Sequence, residues 1–138
     1  MENWVYVCTL VFLYACLDIY VMQKPNLIRD RSFNFSIRAV QLAQELDKQR
    51  AYVLSKQFLK SATSIGANVE EGTQGQSRKD FISKMSIALK EAQEARYWLR
   101  LMHATKIGDP VEIASLGIEA SEIISILVRI VKSSRHSR

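Results

Sequence analysis

The chain has 138 residues and a mass of 15.8 kDa, room for one domain of ordinary size and not for two. Hydrophobic residues make up 48% and charged residues 24%, a balance that disfavours disorder, collagen-like repeats and a polytopic membrane protein; five glycines and two prolines are too few turn formers for a many-stranded barrel or sandwich. The formal charge of +5 divides into −2 over residues 1 to 21 and +7 over the other 117, so the part predicted to fold is distinctly basic.

Such a charge favours anionic partners, nucleic acid above all or an acidic membrane surface, by a long-range attraction that salt screens. A solvated helical surface that happens to run positive explains the same number.

Residues 1 to 21 differ from the rest. From Trp4 to Leu17 the chain reads WVYVCTLVFLYACL. A secretory signal wants a positive start, where this one has Glu2, and a spanning helix wants about 20 apolar residues, where Asp18 interrupts the run. Leu13-Tyr14-Ala15-Cys16 is a poor lipoprotein box for the same lack of a basic start. The expectation is that Met22 begins the native protein and that 1–21 is an apolar extension outside a bundle domain spanning 22–138. Both cysteines, Cys8 and Cys16, lie in that extension, so neither a disulfide framework nor a cysteine-ligated zinc is expected in the folded part, in keeping with a reducing cytoplasm.

Four helices are predicted next. The first starts after Ser32 as N-cap and runs to about Gln49, with Phe33, Ile37, Val40 and Leu46 on its apolar stripe. The second places Leu54, Phe58, Ala62, Ile65 and Val69 on one face and stops at Gly72. After a loop from Thr73 to Gln76, Ser77 caps the third helix by accepting from the backbone near Asp80. Phe81, Met85, Ala88, Ala92, Ala95, Leu99 and Met102 then step by 4, 3, 4, 3, 4 and 3, the seam of a left-handed helical bundle. Three central alanines make that seam thin enough for a neighbouring helix to approach closely.

The third helix ends near Lys106, before Gly108. Asp109, Pro110 and Glu112 fit the N-cap, first and third positions of the fourth, which runs to about Lys132 with Leu116, Ala120, Ile123, Leu127 and Ile130 in line. Ile124, Val128 and Val131 form a second row, widened by Ile113, Ile118 and Ile126. A monomer is expected to leave some of these in water, which predicts self-association, unless the first helix or the amino-terminal tail covers them.

No catalytic constellation emerges. Glu91 and Glu94 on one helix and Glu119 and Glu122 on another resemble the raw material of a di-iron bundle, but that site needs Glu-x-x-His twice, and neither His103 nor His136 has a glutamate three residues earlier. No nucleophile pairs with His103, and Gly66, Gly72 and Gly75 lack the strand and the Gly-Lys-Ser/Thr of a phosphate loop. No enzyme, metal, cofactor or small-molecule substrate is expected. Cations remain: Arg38 on the first helix, Lys56 and Lys60 one turn apart on the second, Arg78, Lys79 and Lys84 at the start of the third, and Arg96 and Arg100 further along it. All eight are candidate phosphate contacts, and the tail from Lys132 to Arg138 is a short basic end.

The run from Phe58 to Gly72 (FLKSATSIGANVEEG), then Lys79-Asp80-Phe81-Ile82, then the run from Ile87 to Leu99 (IALKEAQEARYWL) resemble the bacterial four-helix bundle proteins encoded within 23S rRNA intervening sequences. The likeness extends over roughly Met22 to Lys132. It implies an all-α, antiparallel up-down-up-down four-helix bundle that assembles as a ring-like homo-oligomer, a pentamer, with no attached enzymatic activity. That family is similar in turn to the accessory variability protein of diversity-generating retroelements, a basic bundle that binds nucleic acid and a reverse transcriptase; in such a setting a reverse transcriptase would be a partner here too. The family's Asn-x-x-Glu-Gly motif falls on Asn68, Glu71 and Gly72, and its Glu-Ala-x-Glu element on Glu91, Ala92 and Glu94, completed by Tyr97, Trp98 and Leu99. Asn68 and Glu71 share a helix face and are expected to bond across the bundle to Glu94 or Arg96 as a buried polar lock. Two functional classes stay open, a nucleic-acid-associated scaffold and an oligomer that contacts only proteins.

Overall fold

The computed structural model describes residues 25–136; the apolar extension over 1–21 and the last two residues of the basic tail lie outside them. Within that range the chain forms α1 (Leu27–Lys48), α2 (Tyr52–Thr73), α3 (Arg78–Thr105) and α4 (Pro110–His136). Links of only three or four residues oblige consecutive helices to run antiparallel. Each helix packs on its neighbours in sequence and α1 closes the ring against α4, while the diagonal pairs do not meet. This is the expected up-down-up-down bundle, with no strand among the described residues.

The caps follow from local chemistry. Ser77 Oγ accepts from the Asp80 amide at 3.1 Å, as expected. α1 starts earlier than predicted: Asn26 Oδ1 accepts from the Arg29 amide at 3.3 Å, and Ser32 lies buried inside the helix with its hydroxyl donating to the Arg29 carbonyl at 3.0 Å. At the other end Arg50 adopts a left-handed φ of 60°, and the Ala51 amide reaches back to the Leu46 carbonyl at 2.9 Å. α3 ends the same way, with Lys106 at φ 57° and Ile107 donating to Met102 at 3.0 Å. Both closures satisfy helix-end carbonyls that would otherwise lack a partner.

The core seam of α1 is Ile28, Ser32, Phe35, Ala39, Leu42 and Leu46, all buried, stepping by 4, 3, 4, 3 and 4. This corrects the predicted stripe, of which only Leu46 faces inward. Phe33, Ile37 and Val40 keep 53%, 45% and 40% of their surface in water, because they sit on the row opposite the core seam, with Phe33 at the edge of a cleft against α2. On α2, Phe58, Ala62, Ile65 and Val69 are buried as predicted and Leu54 packs at the margin. The α3 seam is buried from Met85 to Met102, with Phe81 packed against its end. Phe35 and Phe58 meet edge to face at a centroid distance of 6.4 Å, joining α1 to α2.

Two expectations about the later helices also change. Gly72 does not stop α2, which continues to Thr73; it is buried inside the helix, where a Cβ would lie 2.7 Å from Met85 Cε and 3.0 Å from Lys84 Cβ. The glycine is there for the close approach of α3. On α4, Ile113, Ile124 and Val131 are buried within the single chain and Val128 and Ile126 are partly covered, leaving Ile118 exposed at 66%. A helix wedged between two neighbours needs a broad apolar face, so the width of α4 is used up inside the bundle, and the outward-facing apolar stripe is on α1 instead. α4 also runs on to His136, past the predicted end at Lys132.

Candidate nucleic-acid interface

The eight candidate cations do not form one patch. Arg38 is committed to α4: its Nε and Nη2 donate to Glu112 Oε1 at 3.1 and 2.9 Å, its Nη1 donates to Glu119 Oε2 at 2.5 Å, and Nη2 also reaches Ser115 Oγ at 2.9 Å. With Arg31 paired to Glu122, it forms a two-arginine clamp along the α1–α4 seam. The rigid fork of the guanidinium suits this shared grip on two carboxylates. Lys84 pairs with Glu71 across the α2–α3 seam, and that bond and charge hold its ammonium pKa above the usual value. Arg78 donates twice to the Ser134 carbonyl, at 3.0 and 2.6 Å, fastening the start of α3 to the end of α4.

The other five differ. Lys56, Lys60, Lys79 and Arg100 are exposed and Arg96 is half-buried, and among the described residues none of them forms an ion pair. Lys56 and Lys60 lie on the outer face of α2, whereas Arg96 and Arg100 line open grooves between α3 and α4. One groove, of about 590 Å³, has Tyr97, Arg100, His103, Ala114 and Gly117 among its walls. The next, of about 720 Å³, shares Arg100, Ala114 and Gly117 and adds Arg96, Ile118 and Ser121. Small side chains on α4 keep both open, and a Cβ on Gly117 would meet nothing within 4 Å.

The polar motif residues are placed differently from the expected lock. Asn68 Nδ2 donates to the Ser64 carbonyl of its own helix at 2.8 Å, Glu71 is exposed and pairs with Lys84, and Glu94 accepts from Trp98 Nε1 at 3.2 Å. Pairing to Glu94 or Arg96 is thereby replaced by one exposed contact across the α2–α3 seam. The side chains are too far out on their helices to be buried together. Glu91 is the perturbed member: its burial, then the neighbouring Glu94 carboxylate, raise its pKa against the opposing pull of Lys60. The penalty is absent at low pH, where the carboxyl is protonated in both states, and sets in as pH rises through the ordinary carboxylate value to the raised folded one. Glu91→Gln is therefore expected to melt at a higher temperature than the native chain at pH 7, with the difference gone below about pH 4. A thermal melt at the two pH values checks this.

Among the described residues no group of three His, Cys, Asp or Glu side chains is placed to hold a metal ion, and no helix is long and apolar enough to cross a membrane.

A fold of four antiparallel helices with cations on its outer faces has many possible relatives, and the comparison that decides is one of sequence. The family model of the 23S rRNA-intervening sequence protein matches residues 24–129, well over half of the chain. The chain belongs to that family. A solved structure from Bacteroides thetaiotaomicron, described as a protein of unknown function from the S23 ribosomal protein family, is similar at 44% sequence identity and a TM-score of 0.73, covering 76% of this chain and 98% of that one. No curated protein matches. The family match spans all eight candidate cations and every motif residue and stops short of the α4 end, with its Lys132 and Arg135, so the bundle frame that positions them is a property of the family.

Two features were not placed by the sequence. The row Phe33, Ile37 and Val40, expected to face the core, is an outward apolar row offset from the true seam. Tyr97, exposed at 54%, belonged to the family motif but carried no signal of its own until Gly117 and Ala114 were seen to leave space in front of it.

Proposed function

We propose that this member of the 23S rRNA-intervening sequence protein family is a non-enzymatic, oligomeric scaffold that associates with RNA or DNA. The observation that carries the reading is that, of the predicted cations, Lys56, Lys79, Arg96 and Arg100 have no carboxylate partner among the described residues, while Lys60, one turn from Lys56, pulls on Glu91 without forming an ion pair. Where a cation is needed to hold two helices together, as with Arg31, Arg38 and Lys84, an acid is supplied opposite it. Cations left over on the outer faces of α2 and α3 are matched to phosphate, whose release of condensed counterions drives binding.

The outward stripe of Phe33, Ile37 and Val40 supports self-association, since a row at seam spacing on the outside of a bundle is a helix face without a partner. The family resemblance adds a ring of five copies. Several copies in one assembly multiply weak phosphate contacts into useful avidity.

Titration of the full chain against a labelled RNA and a DNA of the same sequence tests this. Affinity for at least one is expected at about 50 mM salt, falling as salt rises with a log–log slope of about −3 for four phosphate contacts. No affinity for either at low salt would overturn the nucleic-acid role and leave an oligomer that contacts proteins alone.

A further inference from the structure

Arg96 and Arg100 differ from the other unpaired cations in having a groove and an aromatic ring beside them. They lie one turn apart on α3, a rise of about 6 Å, so their side chains serve neighbouring points on one strand. Tyr97 stands between them in sequence and lines the same groove as Arg100. Its ring is braced edge to face by Trp98 at a centroid distance of 5.1 Å and an interplanar angle of 73°, and Trp98 is itself tied to Glu94. Glu122 also lines the Arg96 part of the groove but is paired to Arg31. This leaves a braced, exposed ring next to two guanidinium groups without an ion pair, the arrangement that stacks a base while its phosphates are held. α4 contributes the room, because Ala114 and Gly117 are the small residues shared by the groove that Tyr97 lines and the adjoining one that Arg96 lines.

We infer that the α3–α4 groove binds single-stranded nucleic acid, with successive phosphates on Arg96 and Arg100 and an unpaired base on Tyr97. The inference rests on the nucleic-acid reading above and adds the site and the form of ligand. A duplex keeps its bases stacked inside, so it has no free base face to lay on the Tyr97 ring. A single strand can turn a base inward, and every base has a face to stack, so the site tolerates many sequences.

The test measures binding of a labelled 15-nucleotide single-stranded RNA, and of the same RNA annealed to its complement, to the full chain and four variants at about 50 mM salt. The native chain is expected to prefer the single strand. Tyr97→Ala loses about 5- to 160-fold of single-strand affinity, the range for one base–aromatic stack, with little change toward duplex, and Tyr97→Phe retains it. The double variant Arg96→Ala/Arg100→Ala weakens binding and makes the salt slope shallower by about 1.4, the contribution of two single-strand contacts. Gly117→Leu, which has free space for its side chain, keeps the helical content in circular dichroism and blocks the groove. If the native chain binds neither RNA, the functional reading fails and this site with it. If it binds but Tyr97→Ala and Gly117→Leu bind equally well, or if duplex is preferred, nucleic acid is held elsewhere, as on Lys56 and Lys60, and the groove assignment is overturned while the functional reading stands.

Discussion

Phe58→Ala is expected to cost about 3–5 kcal/mol of folding stability, the range for removing a buried ring. Phe58 has no exposed surface and meets Phe35 edge to face, so the substitution removes both a large apolar volume and the ring contact that joins α1 to α2. The vacated space opens toward a core whose α3 wall is built from Ala88, Ala92 and Ala95. Such short side chains cannot reach across to refill it, which puts the cost in the upper part of the range. A domain of this size has about 5–15 kcal/mol in hand, so the variant folds with a much lower urea midpoint and an unchanged denaturant slope. A loss below about 1 kcal/mol would mean that Phe58 is not packed as described.

Gly72→Leu is expected to destabilise the bundle by about 1–3 kcal/mol, the usual cost of overpacking. The first added carbon already lies 2.7 Å from the end of Met85 and 3.0 Å from Lys84 Cβ. Met85 can swing aside, but the Lys84 carbon is fixed to the α3 backbone and the branched end of leucine has nowhere to go. Gly72→Ala is the informative companion. It gains about 1 kcal/mol of helix propensity, but its one added carbon meets the same Met85 and Lys84 atoms, so the gain offsets part of that strain and alanine costs clearly less than leucine. Unfolding of both variants by urea separates the two readings of this glycine. A helix-stopping Gly72 would pay a similar backbone cost for either side chain, whereas a close-approach Gly72 loses more with leucine than with alanine.

These two positions also show where the sequence was transparent and where it was not. The α2 and α3 seams were legible because their apolar residues recur at 4 and 3 with few competitors, and Ser77, Asp109 and Pro110 mark helix starts by side-chain chemistry that acts locally. α1 was harder. Its true seam includes the buried Ser32 and only one alanine, Ala39, among its six positions, but the outer row offers Phe33, Ile37 and Val40, so hydrophobicity alone does not separate the two faces. Placing the helix start at Ser32 removed Ile28, the residue that sets the phase. Gly72 was misread for a related reason, since a glycine after an apolar run is equally the mark of a helix end and of two helices in contact.

The candidate site was legible only as a roster of cations. Which of them are free depends on partners far away in sequence: Glu112 and Glu119 lie 74 and 81 residues from Arg38, and Ser134 lies 56 from Arg78. Residue spacing along one helix carries no information about such pairs. Once the bundle brings them together, Arg38, Arg78 and Lys84 are seen to hold helices to one another, and the remaining cations stand out against them.

Sedimentation of the full chain at micromolar concentration and about 50 mM salt, with and without a labelled single-stranded RNA, tests the scaffold most directly. A species several times the single-chain mass is expected, carrying the label with it and releasing it as salt is raised. A single-chain mass that sediments apart from the RNA would contradict it.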